Sequence, residues 1–84
     1  QDAEAWELRG TARTGRLLFE LVPGAAAQAE LQRLARADLD TARALDPRRV
    51  STYVQLGLLE FHRKNAREAA LFFREAYDAD AFST

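Results

Sequence analysis

Apolar residues recur every three or four positions along nearly the whole of this chain, and only three breaks interrupt the pattern. A repeat of that length is the signature of a helix buried on one side. Pro23-Gly24 is a turn signal, Asp46-Pro47 marks a helix end, and Lys64-Asn65 is a softer break. Between the first two breaks, Ala27, Leu31, Leu34, Ala35, Leu39, Ala42 and Leu45 share one face. Gln28, Gln32, Arg33, Arg36, Asp40 and Arg43 occupy the other. The following segments carry Val50, Tyr53, Val54, Leu56, Gly57, Leu58 and Phe61, then Ala66, Ala69, Ala70, Leu71, Phe73, Ala76 and Tyr77. In the first segment Trp6, Gly10, Leu17, Leu18 and Leu21 share a face, and Gly15 marks a candidate kink. No stretch alternates with period two, so strands are not expected. The spacing predicts an all-α chain of four helices, at about 2–21, 25–45, 50–63 and 66–79. Their short connections make neighbours antiparallel, giving two helical hairpins. Asp38, Asp40, Asp78 and Asp80 read as solvated faces and helix-end charges.

Eighty-four residues form one domain, and a domain this small buries only about 60% of its unfolded surface. There is no cysteine, so no disulfide adds to its margin, and the chain suits cytoplasm and periplasm alike. The net charge is -1 with the signs interspersed. The lack of a basic stripe argues against a nucleic-acid partner. The apolar clusters Leu17–Val22 and Ala69–Phe73 are broken by charge or proline well short of the roughly 18 residues of a membrane span, so no membrane insertion is expected. Gln1 in place of an initiator methionine leads to the expectation of a processed chain or a piece of a longer one.

The chain repeats itself. Shifted by 34, Arg33, Ala35, Leu39, Ala42 and Asp46 fall on Arg67, Ala69, Phe73, Ala76 and Asp80. Trp6 and Gly10 fall on Tyr53 and Gly57 at an offset of 47, so 47 less 34 leaves 13 residues inserted within the first hairpin. With these residues and a repeat of 34, the chain resembles the tetratricopeptide repeat family. Tyr53, Leu56, Gly57, Ala69, Phe73 and Ala76 match the family's pattern in a second repeat running from Val50 to about Ser83. Trp6, Gly10, Ala35, Leu39, Ala42 and Asp46-Pro47 match it in the first, with Leu8 one position early and Arg9 where leucine is usual. The chain then divides into an extended first repeat, 1–47, and a second, 48–84. Gly57 and Ala69 are small where helices cross closely, with Tyr53, Leu56 and Phe73 filling the space beside them.

Two departures carry consequences. The insertion lengthens each helix of the first hairpin by about two turns, or roughly 10 Å. Its tip carries Leu17, Leu18, Phe19, Leu21 and Val22, and it either closes on itself or offers Leu18, Phe19 and Val22 to another chain. Ala81 stands where the family has proline, and no capping helix follows it. Two uncapped repeats lead to the expectation of a piece of a longer array, or of an oligomer.

Catalysis finds no foothold in the residues. His62 is the single histidine, there is no Gly-x-Ser-x-Gly elbow, and no glycine-rich phosphate loop follows a strand. No enzyme activity, cofactor or metal is expected. The resemblance instead implies a protein or peptide partner in a concave groove lined by the first helix of each repeat. Carried over, the groove positions are Glu4, Glu7, Leu8 and Thr11 in the first repeat, and Ser51, Val54, Gln55, Leu58, Phe61 and His62 in the second. Leu58 and Phe61 form an apolar anchor site between Gln55 and His62, unless Phe61 packs against the first hairpin instead. Val54 and Gln55 replace the Lys and Asn of the family's carboxylate clamps, which argues against a receptor for chaperone tails. The expected function is a scaffold or adaptor module. The alternative is a structural domain that self-associates through the extended first hairpin.

Overall fold

The computed structural model describes residues 2–20 and 22–81. Among these the chain forms four α-helices and no strand: α1 (Ala3–Phe19), α2 (Ala25–Leu45), α3 (Val50–His62) and α4 (Ala66–Ala81). The all-α expectation holds, and each helix end lies within two residues of its expected place. Leu21, read as the end of α1, and Ser83, read as the end of the second repeat, lie outside the described residues. α1 runs unbroken through Gly15.

Local chemistry sets the helix ends. The Asp2 side chain accepts a hydrogen bond from the Glu4 amide at 3.1 Å and caps α1, a contact worth about 1 kcal/mol. Gly24 opens α2 at φ 88°, a backbone state glycine adopts without steric cost. At the second break the Tyr53 hydroxyl donates to the Pro47 carbonyl at 2.6 Å, tying the turn to α3. The third break closes on Lys64 at φ 66°, where the Asn65 amide donates back to the Glu60 carbonyl at 2.8 Å.

α1 packs on α2 and α3 on α4 as two antiparallel hairpins, and α3 also lies against both helices of the first. α3 is therefore parallel to α1 and covers one side of the first hairpin. The core gathers Leu31, Ala35 and Leu39 from α2, Tyr53, Leu56 and Leu59 from α3, and Phe72 and Ala76 from α4. Two glycines set the hairpin crossings. A Cβ on Gly10 would stand 2.8 Å from Leu39 Cγ, and one on Gly57 would stand 2.5 Å from the Phe73 ring. Gly10 and Gly57 are related by the offset of 47, and Leu39 and Phe73 by the offset of 34. The two offsets thus correspond to one packing contact made twice.

The pairs differ in what covers them. Leu39 is fully buried, whereas Phe73 remains 38% exposed. Phe72 takes the buried place instead, with the Arg36 and Arg43 guanidiniums 5.2 and 5.5 Å from its ring centre. The long arm of the first hairpin mostly closes on itself. Leu17 and Leu31 are buried, Val22 packs against them, and the Gln28 side chain donates to the Val22 carbonyl at 2.9 Å. Of the three expected tip residues, Leu18 is marginal, Val22 is half-buried, and only Phe19 stands clear, at 86% exposed.

Candidate functional site

Three buried carboxylates fix how the helices sit. Glu7 on α1 accepts from Arg49 Nε at 2.9 Å and from the Thr52 hydroxyl at 2.7 Å, joining the N-terminal ends of α1 and α3. Burial pushes its carboxyl up, but the hydrogen bonds from Arg49, Thr52 and Ser51 outweigh that and hold it below the ordinary range. Asp38 on α2 accepts two bonds from Arg9, at 3.1 and 2.9 Å, and one from Arg13 at 2.6 Å. The sequence placed Asp38 on a solvated face; it is buried between α1 and α2 because two arginines, one turn apart on α1, converge on it. Glu60, with no exposed surface, accepts from Arg36 at 2.7 Å, Asn65 at 2.8 Å and Arg63 at 3.1 Å. Here too burial raises the carboxyl, while Asn65 and the two arginines pull it down further. Arg36 also meets Asp40 at 3.0 Å and Glu68 at 3.6 Å, so one side chain links α2, α3 and α4.

With that framework in place, the expected groove residues separate into two groups. Thr11 and Leu58 occupy equivalent positions at the offset of 47, as do Leu8 and Gln55. They therefore follow one another along the same side of the parallel pair α1 and α3. Leu8 is 62% exposed, Glu4 is exposed, and Thr11, Gln55, Leu58 and His62 are half-buried. Gln55 joins Val54, Ser51, Val50 and Arg49 around a shallow hollow at the start of α3. His62 faces a separate hollow shared with Gln28, Gln32 and Asn65.

Glu7, Val54 and Phe61 form the second group. Glu7, also expected on the groove, has its carboxylate buried and held by Arg49 and Thr52, which ties the two helices together. Val54 and Phe61 are the equivalents of Glu7 and Thr14, both of which are buried in the first hairpin. Phe61 is 67% exposed, so it neither joins the core nor packs on the first hairpin.

Comparisons with protein-family models, curated proteins and solved structures find no match. What the surface can do therefore rests on its own chemistry. Among the described residues, no three His, Asp or Glu side chains come together as a metal site, and no helix is long and apolar enough to cross a membrane. Thr11, Gln55 and His62 make no side-chain hydrogen bond within the chain among the described residues. One exposed leucine, Leu8, and one half-buried leucine, Leu58, thus stand beside polar groups with unused donors and acceptors.

The sequence did not anticipate the Glu7, Asp38 and Glu60 networks. A signal was present for Asp38, which lies on the same helical stripe as Leu31, Ala35 and Ala42. Glu60 likewise follows Leu56 by one turn. Charge at a core-spaced position is the mark of a buried, paired carboxylate.

Proposed function

We propose that this chain is a protein-interaction module of tetratricopeptide type, and that it takes an extended or helical segment of a partner along the side formed by Leu8, Thr11, Gln55 and Leu58. The observation that carries this reading is the repetition of free positions. Two parallel helices, tied together by Glu7, Arg49 and Thr52, present equivalent residues that none of the ion-pair networks engages. A repeated surface of this kind matches a ligand that is itself extended along the pair.

Affinity capture from the source cell's lysate tests this, comparing the wild-type chain with a Leu8→Arg, Leu58→Arg variant. Leu8 is mostly exposed and Leu58 half-buried, so the variant is expected to keep its helical circular dichroism. Capture of the partner is expected to fall by tenfold or more, about 1.4 kcal/mol or above, as for loss of an interface anchor. A folded variant that holds the partner as well as the wild type would rule out this side as the working surface.

A further inference from the structure

Ser51 is the one hydroxyl-bearing residue of the chain with a basic residue both two and three positions before it, in the run Arg48-Arg49-Val50-Ser51. Two arginines at that distance ahead of a serine are the charge pattern that the acidic cleft of a basophilic protein kinase reads. The structure leaves the pattern accessible. Arg48 and Ser51 are exposed, and Arg48 joins no ion pair among the described residues. Thr52, the next hydroxyl, has no exposed surface and is committed to Glu7. The run also spans a helix end, where α3 begins at Val50, so the amides of Val50 and Ser51 have no partner within the helix. Ahead of it the backbone is held by short-range bonds, from the Arg49 amide to the Asp46 carbonyl at 3.4 Å and from the Arg48 amide to the Asp46 carboxylate at 3.2 Å. A segment held in this way opens locally while the core stays folded.

We propose that Ser51 is a phosphorylation site for a basophilic kinase, and that its phosphate unties α1 from α3. In the transfer the Ser51 oxygen forms a bond to the γ-phosphorus of ATP. The bond from that phosphorus to the bridging oxygen breaks, ADP leaves, and the hydroxyl proton passes to the kinase's base. The kinase takes the run in extended form, which draws Arg49 away from Glu7. The phosphate left behind then opposes the return of that contact.

Charge decides the direction of the effect. The Glu7 carboxylate accepts from Arg49 Nε at 2.9 Å and from the Thr52 hydroxyl at 2.7 Å, and the Ser51 hydroxyl reaches the same group. Glu4 and Asp46 also act on the Arg49 guanidinium. Arg48 and Arg49 thus stand among Glu4, Glu7 and Asp46, so negative charge is already in excess. A phosphate adds about 1.5 to 2 more negative charges. It also replaces a hydroxyl that donates to Glu7 with an anion that repels Glu7 and competes for Arg49. The start of α3 favours a phosphate through the helix dipole, but at an exposed position that gain is small and screened by water and salt. The Glu7 side chain is only 10% exposed, so its repulsion is screened much less. Repulsion prevails, and it acts on the contact that joins the N-terminal ends of α1 and α3.

Incubating the chain with the catalytic subunit of cyclic-AMP-dependent protein kinase, magnesium and ATP tests the proposal. Phosphate is expected at Ser51, located by mass spectrometry, and is expected to be lost in Ser51→Ala. Arg48→Ala removes an exposed side chain, so it is expected to slow incorporation about tenfold or more while leaving the melting midpoint of the unmodified chain in place. The phosphorylated wild type is expected to melt ~5–10 °C below the unmodified chain. Glu7→Gln keeps an acceptor for Arg49 and Thr52 but carries no charge, and there phosphorylation is expected to lower the midpoint by less than half as much. The wild-type comparison needs no variant, so it decides the effect of the phosphate even if Glu7→Gln fails to fold. No incorporation at Ser51, or phosphate on Thr41 in its place, overturns the site. A phosphorylated chain that melts at or above the unmodified one overturns the untying, and so does an equal fall with and without the charge of Glu7.

Discussion

Leu39→Ala is expected to lower the stability of the chain by about 2–5 kcal/mol, a large share of what it has. Leu39 has no exposed surface, and it fills the space that the missing Cβ of Gly10 leaves open. Truncating a buried leucine costs about 2–5 kcal/mol, because the cavity left behind closes only in part. Closure is hindered here, since α1 and α2 are already held together by Asp38 with Arg9 and Arg13. Against that loss, a chain of 84 residues commands about 4–12 kcal/mol in total. Urea unfolding followed by circular dichroism measures the difference. Leu71→Ala on α4 is the control, because Leu71 is 56% exposed and its loss should change stability by no more than about 0.5 kcal/mol. Equal midpoints for the two variants would show that Leu39 is not where the hairpins lock.

Glu60→Ala is the second large effect. Removing the carboxylate takes the acceptor from Arg36, Arg63 and Asn65 together, at the point where α3 turns into α4. Arg36 keeps Asp40 and its place over Phe72, which softens the loss. The expected cost is about 2–3 kcal/mol, below the 3–5 kcal/mol seen when a fully buried pair is broken. The pH dependence has a definite sign. The Glu60 carboxyl titrates lower in the folded chain than in the unfolded one, so its contribution is present above the unfolded carboxylate value and is lost as pH falls through the lowered folded value. Glu7 acts in the same direction. Thermal melts between about pH 3 and 6 should therefore show a smaller acid loss in Glu60→Gln than in the wild type. Parallel curves would show that Glu60 carries no proton-linked stability.

Helix count, helix ends and hairpin pairing were all legible in the chain, because a single period runs through it and three breaks divide it. The repeat was legible for a related reason: Gly10 and Gly57 are small because another side chain needs their space. The polar framework was not read. Arg9 and Arg13 are spaced as a solvated face would be, and only the distance between α1 and α2 brings them to Asp38. The residues expected to line a groove take two different settings. The resemblance put Leu8, Thr11, Gln55 and Leu58 together with Glu7, Val54 and Phe61, which differ from them by one position around the helix. That single step moves a side chain from the free side to the stacking side. Which face a residue takes depends on the angle at which α3 crosses the first hairpin, and spacing within one helix does not encode that angle.

Site-directed photo-crosslinking tests the central claim most directly. A photoreactive side chain is placed at Thr11 or Gln55 on the α1 and α3 side, and at Leu71 on the back of α4 as a reference, and each chain is irradiated in lysate. Thr11 and Gln55 are expected to yield the same crosslinked partner, and Leu71 none. Crosslinks arising from Leu71, or different partners at Thr11 and Gln55, would contradict a single ligand lying along the parallel pair.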